Sequence, residues 1–332
     1  MKQHICIIGG SGFIGTKIAF NLSLNKNFSF NIIDKVSSKV FPHLTDIADI
    51  RYIHQLKNKL IDNSIIINLA AIHHDNIRPL SLYDDVNIGG AINICDIARK
   101  SNINTIIFTS SVAVYGFAPI DTDESGKINP FNDYGRTKFE AEKIFSAWQI
   151  ERPEERKLII IRPTVVFGEQ NRGNVYKLIR QVASGKFMMI GNGENRKSMA
   201  YVENVAAFII YSLSFKPGIH IFNYVDKPDL SMNSLIHKIN STLNKSDFFN
   251  FKLPYLFGYM IGKGFDLLSF FTKKQFSISS IRIRKFCSDS VFTSSVNKTD
   301  FIPPVSLEEA IEKTIRYEFL EKHSDDITFF SE

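Results

Sequence analysis

Tyr134 and Lys138 stand four residues apart in YGRTK, opening a helical pattern that runs to about Gln149. Residues at that spacing share a helix face, so both side chains can point into one site. A free phenol has a pKa of about 10 and is a poor base near neutrality. An ammonium beside it favours the phenolate, and that would let Tyr134 remove a hydroxyl proton. Most Tyr and Lys residues so spaced simply pack and solvate a helix. This pair gains weight from its place, one strand–helix unit after FTSSVAVYG. There, Thr109 to Ser111 follow a buried strand at its carboxyl end, where a hydroxyl can bond a reacting oxygen and share its proton with Tyr134. Ser110 and Ser111 compete for that role.

The elements that must position these groups are legible as alternation. Ile5–Ile8, Ser29–Ile33, Ser64–Leu69, Thr105–Thr109 and Leu158–Ile161 are apolar and β-branched, each followed by turn residues or a helix-like stretch. The pattern predicts an α/β fold: a doubly wound parallel sheet of Rossmann type, buried on both faces. After about Gly168 the pattern loosens. Residues 1–168 are therefore read as a dinucleotide-binding domain and 169–332 as mainly a smaller substrate lobe over the carboxyl edge of the sheet, the two interleaved.

The opening, ICIIGGSGFIGTKIAF, spaces Gly9, Gly12 and Gly15 by three residues, directly after the first strand and at the start of a helix. Such glycines allow a tight turn and close backbone approach to a pyrophosphate at the helix amino end. Ser11, Phe13 and Ile14 lie in the same loop and first turn. Asp34 ends the second strand, 19 residues past Gly15. A carboxylate there accepts hydrogen bonds from ribose hydroxyls and repels a 2′-phosphate, favouring NAD over NADP, although the adjacent Lys35 softens the discrimination.

Bulk properties set few further limits. Lys plus Arg exceed Asp plus Glu by 40 to 34, a modest excess that makes no case for nucleic acid. Three cysteines, Cys6, Cys95 and Cys287, lack metal-type spacing and fit a reducing cytoplasm. No secretory signal is expected ahead of the first strand. The apolar stretch Tyr255 to Phe271 is interrupted by Lys263 and Asp266 and is shorter than the ~20 residues a membrane span needs, so a transmembrane helix is rejected. His73, His74 and Asp75 follow the NLAA strand on the expected site's side. They can meet sugar hydroxyls or phosphates, or serve packing; no metal site is expected, because no third ligand is evident.

Taken together, GGSGFIG, NLAA, VNIGGAIN, SSVAVYG, YGRTK, RPTVVFG and GNGENRKSMAYVENVA resemble the extended short-chain dehydrogenase/reductases, the NAD-dependent epimerase and dehydratase group. The resemblance covers nearly the whole chain. It implies Ser111, Tyr134 and Lys138 as catalytic residues, Lys138 also holding the nicotinamide ribose. It further implies Asp49 and Ile50 as adenine contacts, Leu69, Ala70 and Ala71 as residues lining the dinucleotide, and Pro163 as a further cofactor-binding residue. Asn87 is placed near the nicotinamide, with helix packing an equal alternative. Family dehydratases carry an Asp-Glu pair just before VYG, and related decarboxylases a Glu; here Val112 and Ala113 occupy those places, and neither moves protons. Epimerisation is expected, with a plain sugar ketoreductase as runner-up and a non-catalytic NAD sensor as a third reading.

For the substrate, the family's uridine contacts are not clear, while Arg172, Arg196, Lys197 or Arg282 could meet a diphosphate. The late segment mixes aromatics and leucines with Lys252, Lys263, Lys273, Lys274, Arg282, Arg284 and Lys285. On residues alone, the preferred reading is a helix packing its aromatics inside the second lobe; the alternative is a surface dipping into a bilayer. A closer likeness, in LYDDVNIGG, RPTVVFGEQNRGNVY, FNYVDKPDL and DDITFFSE, is to family members acting on lipid-linked amino sugars. It implies 4-epimerisation of N-acetylglucosamine on undecaprenyl diphosphate for O-antigen or related surface glycans. It also implies peripheral attachment at the cytoplasmic face of the inner membrane, against a soluble UDP-sugar 4-epimerase as the alternative. Family members commonly form homodimers through the Tyr-bearing helix.

Overall fold

Unbroken isoleucine runs place the central sheet. Ile5, Ile7 and Ile8, Ile65 to Ile67, Ile106 and Ile107, and Leu158 to Ile161 are all buried, as expected for strands covered on both faces. The computed structural model describes residues 2–74, 77–246, 252–272, 276, 278–323 and 327–330. Asp75, Lys273, Lys274 and parts of DDITFFSE lie outside the described residues.

In chain order the strands are β1 Gln3–Ile8, β2 Phe28–Asp34, β3 Thr45–Ile47, β4 Ile65–Asn68, β5 Thr105–Thr109, β6 Lys157–Pro163, β7 Val165–Phe167, β8 Met189–Ile190, β9 Arg196–Tyr201, β10 Gly218–Tyr224, β11 Asp226–Ser231 and β12 Lys252–Leu253. The helices are α1 Phe13–Leu24, α2 Ile53–Leu56, α3 Ser81–Tyr83, α4 Gly90–Lys100, α5 Asp133–Ile150, α6 Asn174–Ala183, α7 Val202–Tyr211, α8 Met232–Thr242, α9 Tyr255–Thr272, α10 Ser280–Cys287 and α11 Leu307–Phe319. A π-helical stretch, Asp84–Gly89, joins α3 to α4.

Seven strands form one sheet in the order β10-β6-β5-β4-β1-β2-β3, and every pair is parallel. The chain runs outward from β1 in both directions, so the topological switch lies between β1 and β4. Ligands of such sheets bind outside the carboxyl ends at that switch. One face is covered by α1 and α7, whose Ile18, Leu22, Val205 and Phe208 join the strand core. The other is covered by α4 and α5 through Ile94, Cys95, Phe145 and Trp148.

Chain beyond residue 168 also contributes to the main sheet and its cover. Both β10 and α7 lie beyond residue 168, yet β10 pairs with β6 along its length and α7 packs on α1. The second lobe is built on two small sheets, β11-β9-β7 and β12-β8. The preferred reading of the aromatic late segment is corrected. In α9 only Gly258 and Gly262 are buried, and most of its large apolar side chains, Tyr259 and Phe265 excepted, are exposed. The face it turns inward is the one that carries these two glycines, which fit closely against Ile190 and Ser280. Among the described residues no helix is long and apolar enough to cross a membrane.

Candidate active site

The glycine loop sits at the sheet's switch point. Gly9 has φ +76°, and a Cβ there would lie 2.6 Å from the Ala70 nitrogen. Only glycine lets the end of β1 come this close to Leu69 and Ala70 after β4. Gly12 caps α1 without a side-chain hydrogen bond, and no acid occupies the first turn. Backbone N–H groups at a helix start whose first turn carries no acid suit a pyrophosphate. Phe13 and Ile14 contribute to this loop through backbone, because their side chains pack into the lobe and sheet cores.

Asp34 faces the loop rather than open solvent. Its carboxylate accepts from the Ser11 N–H at 3.0 Å and the Val36 N–H at 3.4 Å, while Ser11 Oγ donates to the Val36 carbonyl at 2.8 Å. Burial raises its pKa, and these N–H groups oppose the rise. Asp49 is gripped by Arg51 at 2.6 Å, which holds its carboxyl below the usual range. Ile50 is buried against Gly90, and its carbonyl accepts from Asn93 at 2.8 Å.

Asn132 starts α5 by accepting the Gly135 N–H at 3.0 Å. Tyr134 is therefore in the first turn and Lys138 one turn on, about 6 Å apart at Cβ for this spacing. Ser111 begins the short 3-10 turn Val112–Tyr115 and accepts the Ala113 N–H at 3.1 Å. Gly135 joins the two parts: a Cβ on it would stand 2.4 Å from the Ala113 carbonyl. A glycine directly after the tyrosine thus seats the helix start on the serine turn.

Lys138 is 2% exposed, with its Nζ 4.5 Å from the Phe108 ring centre on β5. Burial pushes its pKa down to about 7, and the Glu142 carboxylate one turn on opposes that fall. Glu142 is itself fixed by a buried bidentate pair with Arg162, at 2.9 and 2.6 Å. Arg162 also donates to Tyr115 Oη at 2.6 Å, which donates to Asn223 at 2.9 Å. Beside Phe108, the hydroxyls of Thr109 and Ser110 are buried without a partner among the described residues. Unmet hydrogen-bonding capacity at this depth suits a polar ligand group. The residues present therefore fit a dinucleotide along the β1–β4–β5 edge.

Asn87 proves to be a tie. From the π-helical stretch it exchanges bonds with Ile72 N–H and carbonyl, at 2.8 and 3.1 Å, and donates to Thr137 at 2.9 Å. It thereby locks the loop after β4 to the residue beside Lys138. His73 and His74 stack at 4.4 Å in that loop, and Tyr83 donates to the His74 carbonyl. Pro163 ends β6 opposite Tyr224.

The basic residues offered for a diphosphate are dispersed. Arg172 pairs with buried Glu318 at 2.6 Å and lies over Tyr176. Lys197 donates to the Lys285 and Ser288 carbonyls at 2.7 and 2.5 Å. Arg196 is exposed at the lobe edge. Nearer the site, Arg284 and Lys285 of α10 stand over Phe117 and Phe131 at 4.4 and 4.3 Å, and Phe131 directly precedes the cap of α5. Sequence reasoning missed that aromatic pair and the Glu142–Arg162 pair. Glu142 continues the four-residue stride of Tyr134 and Lys138, and Arg162 is a charge inside an apolar strand, so both carried a signal. Among the described residues no group of His, Cys, Asp or Glu is arranged to hold a metal.

Switch-point glycine loop, strand-end Asp34 and the Tyr134–Lys138 face together define a dinucleotide-using enzyme of Rossmann architecture. The chain belongs to the NAD dependent epimerase/dehydratase family, whose model matches residues 5–223. It is 43% identical, across 100% of both chains, to the N-acetyl-alpha-D-glucosaminyl-diphospho-ditrans,octacis-undecaprenol 4-epimerase of Escherichia coli O157:H7. It is 27% identical to the UDP-glucose 4-epimerase of Vibrio cholerae, over 79% of this chain and 84% of that one. Among solved structures, the UDP-glucose 4-epimerase of Thermotoga maritima superposes with a TM-score of 0.75 at 20% identity, covering 96% of this chain and 100% of that one.

Proposed function

We propose that the chain interconverts N-acetylglucosamine and N-acetylgalactosamine on undecaprenyl diphosphate by NAD-dependent epimerisation at C4. The observation that carries this is the end-to-end 43% identity with the E. coli enzyme of that name, together with the intact Ser111, Tyr134 and Lys138. Bound NAD supplies a hydride acceptor that is regenerated in each turnover. Tyr134 takes the proton of the C4 hydroxyl as that carbon is oxidised, and Ser111 holds the oxygen. Lys138, held in a dry pocket over Phe108, favours the phenolate by its charge and reaches a ribose. The 4-keto sugar then turns its other face inward, and Tyr134 returns the proton as hydride comes back. Val112 and Ala113 beside Ser111 leave no acid there to drive elimination.

Gly9 and Gly12 let the backbone approach the pyrophosphate, Gly15 lets α1 close on Gly10, and Ser11 steadies Asp34, which takes the adenosine ribose. Asp49, Ile50 and Leu69 to Ala71 line the dinucleotide. His73 and His74 border the sugar, and Arg284 and Lys285 join exposed Arg196 as cations available to the diphosphate. The substrate's polyprenol supports work at the cytoplasmic face of the inner membrane, in O-antigen or related surface glycan assembly. The test gives purified enzyme both undecaprenyl-diphosphate-linked and UDP-linked N-acetylglucosamine and separates the products. Conversion of the lipid-linked sugar, without net NADH, is expected; conversion of the UDP sugar alone overturns the reading.

A further inference from the structure

α9 inverts the ordinary pattern of a water-facing helix. A surface helix of a globular protein turns its apolar stripe inward and its polar face out. Here the inward face is made of Gly258 and Gly262, four residues apart. A Cβ on the first would lie 2.7 Å from Ile190 Cγ2, and one on the second 2.8 Å from the Ser280 backbone. The helix is thus pressed close against β8 and the start of α10 by its smallest residues. Its outward face carries Leu256, Phe257, Met260, Ile261, Leu267 and Phe271, each 40% exposed or more. Contiguous apolar surface of this kind on a soluble chain marks an interaction site.

Charge selects the partner. Residues 252–285 contain seven Lys or Arg and a single acid, Asp266. That acid is turned inward, accepting from Ser280 N–H at 3.2 Å. A partner covering this face meets the exposed cations Lys252, Lys263 and Arg284. An open cleft of about 630 Å³, lined by Lys252, Tyr255, Arg284 and Cys287 among others, adjoins the first turn of α9. The next helix, α10, brings Arg284 and Lys285 to Phe117 and Phe131 beside the start of α5. The apolar face therefore lies on the same structural unit that borders the catalytic mouth.

We propose that α9 is an interfacial helix that beds its Leu256–Phe271 face into an anionic lipid bilayer, with the flanking cations at headgroup level and the active-site cleft opening beside them. This deepens the lipid-linked reading and rests on it for its purpose, although the surface itself is argued independently. Helices of this composition bind by apolar insertion together with attraction to anionic headgroups.

The test is co-sedimentation of the full chain with vesicles of phosphatidylcholine mixed with phosphatidylglycerol, against phosphatidylcholine alone. Binding about tenfold or more stronger on the anionic vesicles is expected, weakening as salt is raised. A Leu267→Glu/Phe271→Glu variant should lose about tenfold or more of that binding while keeping its melting transition and NAD affinity. Absence of binding to anionic vesicles overturns the proposal, as does binding that the variant leaves unchanged. A dimer that the variant dissolves without altering vesicle binding assigns the face to a second copy and also overturns it. Turnover of detergent-dispersed lipid-linked sugar separates the two readings. If it persists without vesicle binding, only the docking surface fails; if it is absent while binding remains, only the substrate assignment fails.

Discussion

Helices α5 and α9 are both 18 residues long, and they invert one another. α5 buries Lys138 and Glu142 alongside Ala141, Phe145 and Trp148. α9 buries two glycines and leaves its leucines and phenylalanines in contact with solvent. Both arrangements cost stability in an isolated folded chain. A charge removed from water needs an accurately placed partner, and exposed apolar area forgoes the gain of burial. The comparison teaches where the chain departs from the rule of apolar inside and polar outside. On the proposed reading, one departure sets the ionisation of Lys138 beside Tyr134, and the other meets a bilayer instead of water.

The largest effect expected from this comparison is on the buried pair. Arg162→Met leaves the Glu142 carboxylate buried without its partner and should destabilise the fold by about 3–5 kcal/mol in denaturant unfolding. A similarly drastic change on the other helix, Phe270→Ser, should stay within about 0.5 kcal/mol, since Phe270 is 78% exposed. Equal losses at the two positions would break the contrast.

A smaller effect sharpens it. The Glu142 carboxylate raises the Lys138 pKa against the lowering by burial, which leaves it at about 7. The ammonium is the form lost as pH rises, so removing that carboxylate makes it disappear earlier. In Glu142→Gln the alkaline limb of the kcat/KM profile should therefore move to lower pH. A limb that stays in place would make Glu142 a packing residue only.

Much of the site was readable because its signals are local. Glycine spacing after an isoleucine run, an Asp at a strand end, and Tyr and Lys one turn apart each state their geometry within a few residues. What stayed hidden depends on distant partners. Arg162 needs Glu142 on another element, and Asn87 works by joining Ile72 to Thr137. β10 completes the sheet from beyond residue 168, where the strand–helix alternation has already lapsed. The outward turn of α9 was unreadable for a different reason. Periodicity gives a stripe, and whether that stripe faces in or out was decided by the close fit of Gly258 and Gly262 against Ile190 and Ser280.

Hydride removal and return at one sugar carbon, with Tyr134 carrying the proton, is tested most directly by isotope retention. Undecaprenyl-diphospho-N-acetylglucosamine bearing deuterium at C4 should yield the epimer with its deuterium intact in ordinary water, and Tyr134→Phe should slow that conversion by about 10²–10⁴-fold. Loss of the label to solvent, or a Tyr134→Phe enzyme that turns over at the unaltered rate, would contradict the account.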